Sequence, residues 1–534
     1  MNAKCVLVLI SVIGLVVTIQ ARPENFANSY DDGHMHPNPV KRSINTKTSK
    51  INAEEYNSKF WIDQAQKVLN AKLLEKPNTN IAKNVIMFLG DGLSIPTIKA
   101  SRLYLGQLHN ESGEETILSF EKFPYVGLSK TYCVDTQVPD SACTATAYLS
   151  GVKNNYHTIG VTAAVQYQDC DASLNEENHV YSIAQWSQLK NKKTGIVTTT
   201  RITHASPAGA YANTADRDFE SDADTPDSKC KDIAHQLVYS EVGKNLNVVL
   251  GGGRREFLPN TVTDEGGQRG RRLDGENLIE AWLKSKQGHK AQYVWNRTEL
   301  ENVAGDTEYL LGLFEDNHCK YHLDAEDNDP SLTEMTEKAI ELLASAENGY
   351  FLFVEGGRID HAHHETRAQK ALDETVEFHK AIERAVELTN KEDTLIVVTA
   401  DHAHTMSVSG YAERGNDILG ICDKADDELP YMTLSYANGP GYRASVGGRR
   451  TDVTNDNTHD KNYRFPVIAP LEDETHGGDD VSIYSQGPWS HLLTGVIEQN
   501  VIPHIMAYAS CVGDGLKICD QELERIKKSN DGRN

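Results

Sequence analysis

The sequence predicts an α/β fold: a large central, mostly parallel sheet flanked by helices, with a small inserted crown-like subdomain. Three observations carry this expectation. Short runs of Val, Ile, Leu and Phe at 84–90, 350–354 and 394–400 lack polar alternation, so they read as strands buried on both faces. Segments with helical spacing lie between them. Each run also breaks off into acids and imidazoles: Asp91 after the first, Glu355, Asp360 and His364 after the second, and Asp401, His402 and His404 after the third. Open α/β sheets bind ligands in the crevice beyond the carboxyl ends of their strands. Three strand ends delivering such residues to one edge point to a multi-metal catalytic site.

In chain order, Lys4, an apolar stretch at 5–19 and Gln20-Ala21-Arg22 read as a secretory signal peptide over residues 1–21. That stretch is too short and too weakly flanked to span a membrane. Residues 22–50 form a polar lead-in, expected to be flexible or trimmed. Removing Cys5 leaves eight cysteines, an even number suited to an oxidising compartment. Asn110 and Asn296 head glycosylation sequons. Residues 521–534 are a polar tail without the apolar stretch a glycolipid-anchor signal requires, so a soluble product outside the cell is expected.

Apolar positions at Phe60, Trp61, Ala65, Val68, Leu69 and Leu73 predict a helix over 54–74, either packing on a partner subunit or capping the core. Strands are expected at 195–199 and 247–250, the latter ending in Gly251-Gly252-Gly253, which reads as a tight turn. A catalytic core over 51–404 gives way at 405–475 to Gly-, Asp-, Asn- and Pro-rich sequence with a strand-like piece at 431–435. This predicts an insertion with its own small sheet. Residues 476–520 return to the core, with helical periodicity at 489–502. The formal net charge of −24 disfavours nucleic acid as a partner, so none is expected, and favours bound cations. Arg269, Arg271 and Arg272 are flanked by acids and read as a solvated surface loop.

The chemistry is concentrated in two kinds of segment. Asp360 and His364 stand four apart, on one face of a helix, where both can hold one ion. Asp401 and His402 add an adjacent carboxylate and imidazole. Zinc favours such mixtures, whereas Glu355 and Asp91 are hard ligands suited to magnesium. In Val138-Pro-Asp-Ser-Ala-Cys-Thr-Ala-Thr-Ala-Tyr, Asp140 or Ser141 caps a helix of small residues that Gly151 closes. The Ser141 hydroxyl would sit near the positive helix end, which favours an alkoxide; beside a metal it becomes a nucleophile. Cys143 is the rival, half a turn further on.

The same segment resembles the nucleophile signature of the alkaline phosphatases, most closely the animal, tissue-type enzymes. The resemblance runs from about Phe60 to Cys519. It includes Phe-Leu-Gly-Asp-Gly, Thr-Thr-Arg-Ile-Thr-His-Ala-Ser-Pro-Ala-Gly, Val-Glu-Gly-Gly-Arg-Ile-Asp-His-Ala-His-His, Thr-Ala-Asp-His-Ala-His and Glu-Thr-His-Gly-Gly-Asp. It implies two zinc ions and one magnesium: a first zinc on Asp360, His364 and His476; a second on Asp91, Asp401, His402 and Ser141; and magnesium on Asp91, Ser206 and Glu355. His204 would lie near the magnesium, His404 would line the first zinc site, and Arg217 would clamp phosphate oxygens. It further implies a calcium at Phe314 (carbonyl), Glu315, Asp329 and Glu265, with Asp264 as the alternative fourth position. Implied disulfides are Cys170–Cys230 and Cys511–Cys519; the pairing of Cys133, Cys143, Cys319 and Cys422 stays open. A homodimer is implied as well, built from the N-terminal helix and the 405–475 insertion, with Tyr411 reaching the neighbouring subunit.

The expected reaction is hydrolysis of small phosphate monoesters through a phosphoserine. A sulfatase would need a Cys-x-Pro-x-Arg segment, which is absent, and a phosphodiesterase sits poorly with Arg217 and the magnesium set. A catalytically silent binding protein is opposed by the presence of every expected ligand.

Overall fold

The computed structural model describes residues 53–225, 229–445 and 447–520. The signal peptide, the lead-in and the polar tail lie outside the described residues. The central sheet is built on eight strands, β1 (Asn84–Gly90), β2 (Tyr125–Lys130), β3 (Lys193–Arg201), β4 (Val248–Gly252), β5 (Ala291–Val294), β6 (Tyr309–Leu313), β7 (Tyr350–Gly356) and β8 (Thr394–Ala400). Two later strands, Val481–Gln486 and Gly495–Glu498, complete it. The order is Gly495–Glu498, β2, Val481–Gln486, β8, β1, β7, β3, β4, β6, β5. Every pairing is parallel except those of Val481–Gln486 with β8 and β2.

The sequence explains the doubly buried character of the middle strands. Along β1, Val85, Met87 and Leu89 enter one apolar cluster, while Ile86 and Phe88 enter another on the opposite face. Alternation is absent from the sequence because both faces meet helices. The strands that bear chemistry are contiguous: β8, β1, β7 and β3 lie side by side. Register aligns Leu89 with both Glu355 and Thr399, and Glu355 with Thr198, so Asp91, Glu355 and Asp401 emerge at one edge.

Between residues 405 and 475 the chain forms two small sheets. Ser407–Val408, Leu434–Gly439 and Val467–Pro470 make three strands, and Ile421–Lys424 pairs with Pro430–Met432. Met406, Leu434, Tyr436 and Phe465 from this stretch pack with Leu103, Leu372 and Val376 of the core.

Two expectations need correction, and two open alternatives are decided. The 489–502 stretch is not one helix: a 3-10 turn at Ser490–Leu492 leads to the strand Gly495–Glu498, and a helix starts only at Val501. The exposed edge of β2 recruits that segment, so pairing overrides a weak periodicity. Arg272 is not solvated. It is fully buried, donating to both carboxylate oxygens of Asp232 at 2.9 and 3.2 Å and to Asp274. The helix α1 (Ser58–Leu74) does not cap the core, since none of its residues is buried and Trp61 is 51% exposed. Finally, Cys143 is bonded to Cys133 and so is no nucleophile; Cys170–Cys230 and Cys511–Cys519 are also joined, while Cys319 and Cys422 are buried thiols.

Candidate active site

Ser141 opens the helix α3 (Ser141–Ser150), and Asp140 is its cap, with Gly151 closing it in the left-handed conformation. Asp140 Oδ1 accepts from the backbone of Cys143 at 3.3 Å and of His157 at 3.2 Å. Its other oxygen accepts from Arg217 Nη1 at 3.0 Å, and Arg217 Nη2 reaches His204 Nε2 at 3.0 Å. Burial works against the Arg217 charge, but Asp140 more than offsets it and keeps the guanidinium firmly protonated. Burial holds His204 neutral, so it can accept from Arg217. The guanidinium is thus fixed from two sides, next to the start of α3.

Two ligand sets converge beside Ser141. In one, His402 Nε2 lies 3.4 Å from Asp91 Oδ1, 3.1 Å from Asp401 Oδ2 and 3.2 Å from Ser141 Oγ. In the other, His476 Nε2 lies 3.4 Å from Asp360 Oδ1 and 3.1 Å from His364 Nε2, and His364 Nε2 is 3.3 Å from Asp360 Oδ2. A tetrahedral zinc with ligands near 2.05 Å has ligand–ligand edges of roughly 3.3 Å, so both sets fit that ion. The His402 and His476 rings stack at 3.5 Å between centroids and join the two sets.

The imidazoles are oriented for metal binding. His364, His402 and His476 each turn Nδ1–H to a backbone carbonyl, those of Glu474, Ala403 and Pro139, which leaves Nε2 facing the site. The carboxylates tell the same story through what they lack. Asp91 Oδ2, Asp401 Oδ2 and Glu355 Oε1 are buried without a hydrogen-bond partner. Burial, then the neighbouring Asp401, Asp360 and Glu355, pushes the Asp91 carboxyl well above the usual range, and burial lifts Glu355 to about 7. Buried carboxylates crowded in this way need cations to stay ionised. Glu355 Oε2 is held by Thr198 and, at 3.1 Å, by Thr200. Its free oxygen, Asp91 Oδ2 and the fully buried Ser206 supply the oxygen donors magnesium prefers.

Gly92 is required where the sets meet. It has φ +67°, and a Cβ there would run into the His404 ring and lie 3.3 Å from Asp360 Cα. Its N–H donates to Asp401 Oδ1 at 3.0 Å.

Of the residues tied to calcium, Phe314, Glu315 and Asp329 line one cavity. Glu315 and Asp329 share the ammonium of Lys320, at 3.4 and 3.0 Å, while Glu265 lies 3.7 Å from Arg254 and Asp264 bonds Arg254 at 2.7 Å. Asn110 is exposed, whereas Asn296 is buried and caps the helix Arg297–Glu301. Sequence reasoning missed Thr198 and Thr200, which read as ordinary strand residues. It also missed His363, bonded at 3.0 Å to Thr97 and 2.9 Å to Tyr436, although its place among the clustered histidines was a signal.

A family model for alkaline phosphatase matches residues 82–512. The chain belongs to the alkaline phosphatase family. It is 49% identical to the membrane-bound alkaline phosphatase of Bombyx mori, over 88% of each chain. Identity to the human tissue-nonspecific isozyme is 48%, over 88% of this chain and 92% of that protein. Among solved structures, the Thermus thermophilus alkaline phosphatase has a TM-score of 0.60 at 22% identity, over 85% of this chain and 96% of that one. An enzyme from an Antarctic bacterium gives 0.56 at 21%, over 82% and 100%. The bacterial likenesses bear on the fold, whereas the animal relatives place the chain among animal alkaline phosphatases.

Proposed function

We propose that this alkaline phosphatase hydrolyses phosphate monoesters through a phosphoserine on Ser141, using two zinc ions and one magnesium. The observation that carries the reading is Ser141 Oγ at the start of α3, 3.2 Å from His402 Nε2 and 3.5 Å from Asp91 Oδ1, with Arg217 pinned alongside by Asp140. The first zinc would sit on Asp360, His364 and His476, the second on Asp91, Asp401, His402 and Ser141, and magnesium on Asp91, Ser206 and Glu355. Bound there, the ions lower the pKa of oxygen nucleophiles and neutralise the charge that develops on attacking and leaving oxygens.

The chain's own groups do the rest. Arg217 takes two phosphate oxygens through its planar fork, with His204 and Asp140 fixing its plane. Ser141 Oγ gives up its proton to solvent and attacks phosphorus in line, forming the Ser141–phosphate ester as the bond to the alcohol oxygen breaks. The alcohol takes up a proton and leaves. A water then attacks phosphorus from the vacated side, the serine ester breaks, and Ser141 recovers its proton. The positive end of α3 favours the serine oxyanion in both halves.

The animal-type homodimer is part of the same reading. The uncovered stripe on α1, with Trp61 and Leu69 about half exposed, and Tyr411 at 63% exposure support it. Three disulfides support an oxidising, extracellular setting, and no helix among the described residues is long and apolar enough to cross a membrane.

Parallel assays on a chromogenic phosphate monoester, a phosphodiester and a sulfate ester, before and after chelation, test the function. Metal-dependent turnover of the monoester, well above the other two, is expected. A preference for the diester or the sulfate overturns the reading, and no turnover of any ester leaves a binding protein.

A further inference from the structure

We propose that Glu474 is a positioning residue for the first zinc set, tying His364 and Asp360 to the small sheet inserted at 405–475. The inference rests on the zinc assignment above. Glu474 is 1% exposed and uses every polar atom it has. Its backbone N–H donates to the His364 carbonyl at 2.9 Å, and its own carbonyl accepts the His364 Nδ1–H, closing a two-way link to one ligand. Its side chain meets His404 Nδ1 at 2.5 Å, and His404 Nε2 in turn holds Asp360 Oδ1 at 2.6 Å. The second carboxylate oxygen accepts from the Thr405 backbone at 2.7 Å and hydroxyl at 2.5 Å.

One residue therefore governs two of the three proposed ligands. Through its carbonyl it sets the tautomer and aim of His364; through His404 it sets the rotamer of Asp360. The same residue is anchored outward. Thr405 Oγ1 accepts from Ala437 N at 3.2 Å, and Thr475 exchanges bonds with Asn438 at 2.9 and 3.0 Å. Ala437 and Asn438 belong to the strand Leu434–Gly439 of the inserted sheet. Gly439 packs so tightly there that an added Cβ would come 2.8 Å from Glu474 Cβ. The hydrogen bonds of Glu474 go to His364, His404 and Thr405, and none goes to Asp91, Asp401 or His402 of the second set. The hydrogen bonds of the insertion thus reach the first set, and the second meets it through the stacked His402 and His476 rings.

The test is site-resolved zinc release from the purified holoenzyme into a chelator, supported by cadmium-113 resonance of the metal-exchanged protein. Removing such outer partners costs about 10- to 100-fold in metal affinity. Glu474→Ala is expected to speed loss of one zinc per chain by that factor and to move one cadmium resonance, leaving the other zinc and resonance unchanged. Glu474→Gln, which keeps the backbone link to His364 and one acceptor oxygen, is expected to fall between. A purely structural role would accelerate both zincs alike, and that result overturns the inference, as does wild-type release of both. Should Glu474→Ala fail to fold, Thr405→Val reads the same coupling, with a smaller acceleration of the same zinc expected and none refuting it. Wild-type protein that holds no zinc would take down the functional reading itself, whereas an active two-zinc wild type with unaltered variants would take down only the role of Glu474.

Discussion

Replacing Gly92 by alanine separates backbone strain from a clash at the edge proposed to hold the metals. Gly92 has φ +67°, and an L side chain there costs about 1–2 kcal/mol. The added methyl would also meet His404 Cδ2 and Nε2 well inside contact distance. Carbon pairs settle near 3.5–4.0 Å, so the ring would have to retreat by about 1 Å. It cannot do so freely, because Asp360 and Glu474 hold it at both nitrogens. Overpacking of this kind costs about 1–3 kcal/mol, giving roughly 2–5 kcal/mol in all. Misplacing catalytic groups by about 1 Å can cost about 100-fold in rate. Gly275 is the matched control: φ is +79° and nothing lies within 4 Å of its added Cβ. Gly275→Ala is expected to lose only the backbone part, about 1–2 kcal/mol, with kcat/KM unchanged. Denaturant unfolding and monoester kcat/KM on both variants give the answer. Equal losses in the two, or wild-type kcat/KM in Gly92→Ala, would refute the claim that His404 must stay where it is.

Ser141→Ala is expected to abolish most monoester turnover with zinc content and unfolding midpoint retained; trapping labelled phosphate on another residue of the wild type would remove Ser141 from its role. Asp360→Ala is expected to lose about one zinc per chain by elemental analysis, and chelated wild type to recover activity with zinc and magnesium together. Arg272→Ala leaves Asp232 buried without its partner, so denaturant unfolding is expected to show a loss of about 3–5 kcal/mol with kcat/KM unchanged. Deleting residues 51–75 is expected to weaken the dimer more than Tyr411→Ala, whose aromatic anchor would account for about 2 kcal/mol of association. Light scattering at micromolar concentration reads both, and an active wild-type monomer there would count against the dimer.

What the sequence reveals and conceals follows from how far apart the interacting groups lie along the chain. The runs at β1, β7 and β8 are legible because burial on two faces erases alternation, and ligands one to four residues apart sit where helix and strand geometry alone place them. Arg272 was misread because its partner Asp232 lies 40 residues away, and local acids on either side look the same whether they solvate a loop or line a core. The Cys133–Cys143 bond stayed open because cysteine spacing does not fix connectivity. Glu474 carries no local mark either, since its partner His404 is 70 residues distant. The helix α1 shows the limit most clearly. Its apolar spacing predicts an amphipathic helix, and a helix forms, yet the stripe is bare. Periodicity reports that a face wants covering and is silent about what covers it. A stripe that the chain's own core leaves uncovered is the physical reason to look for its cover on a second copy.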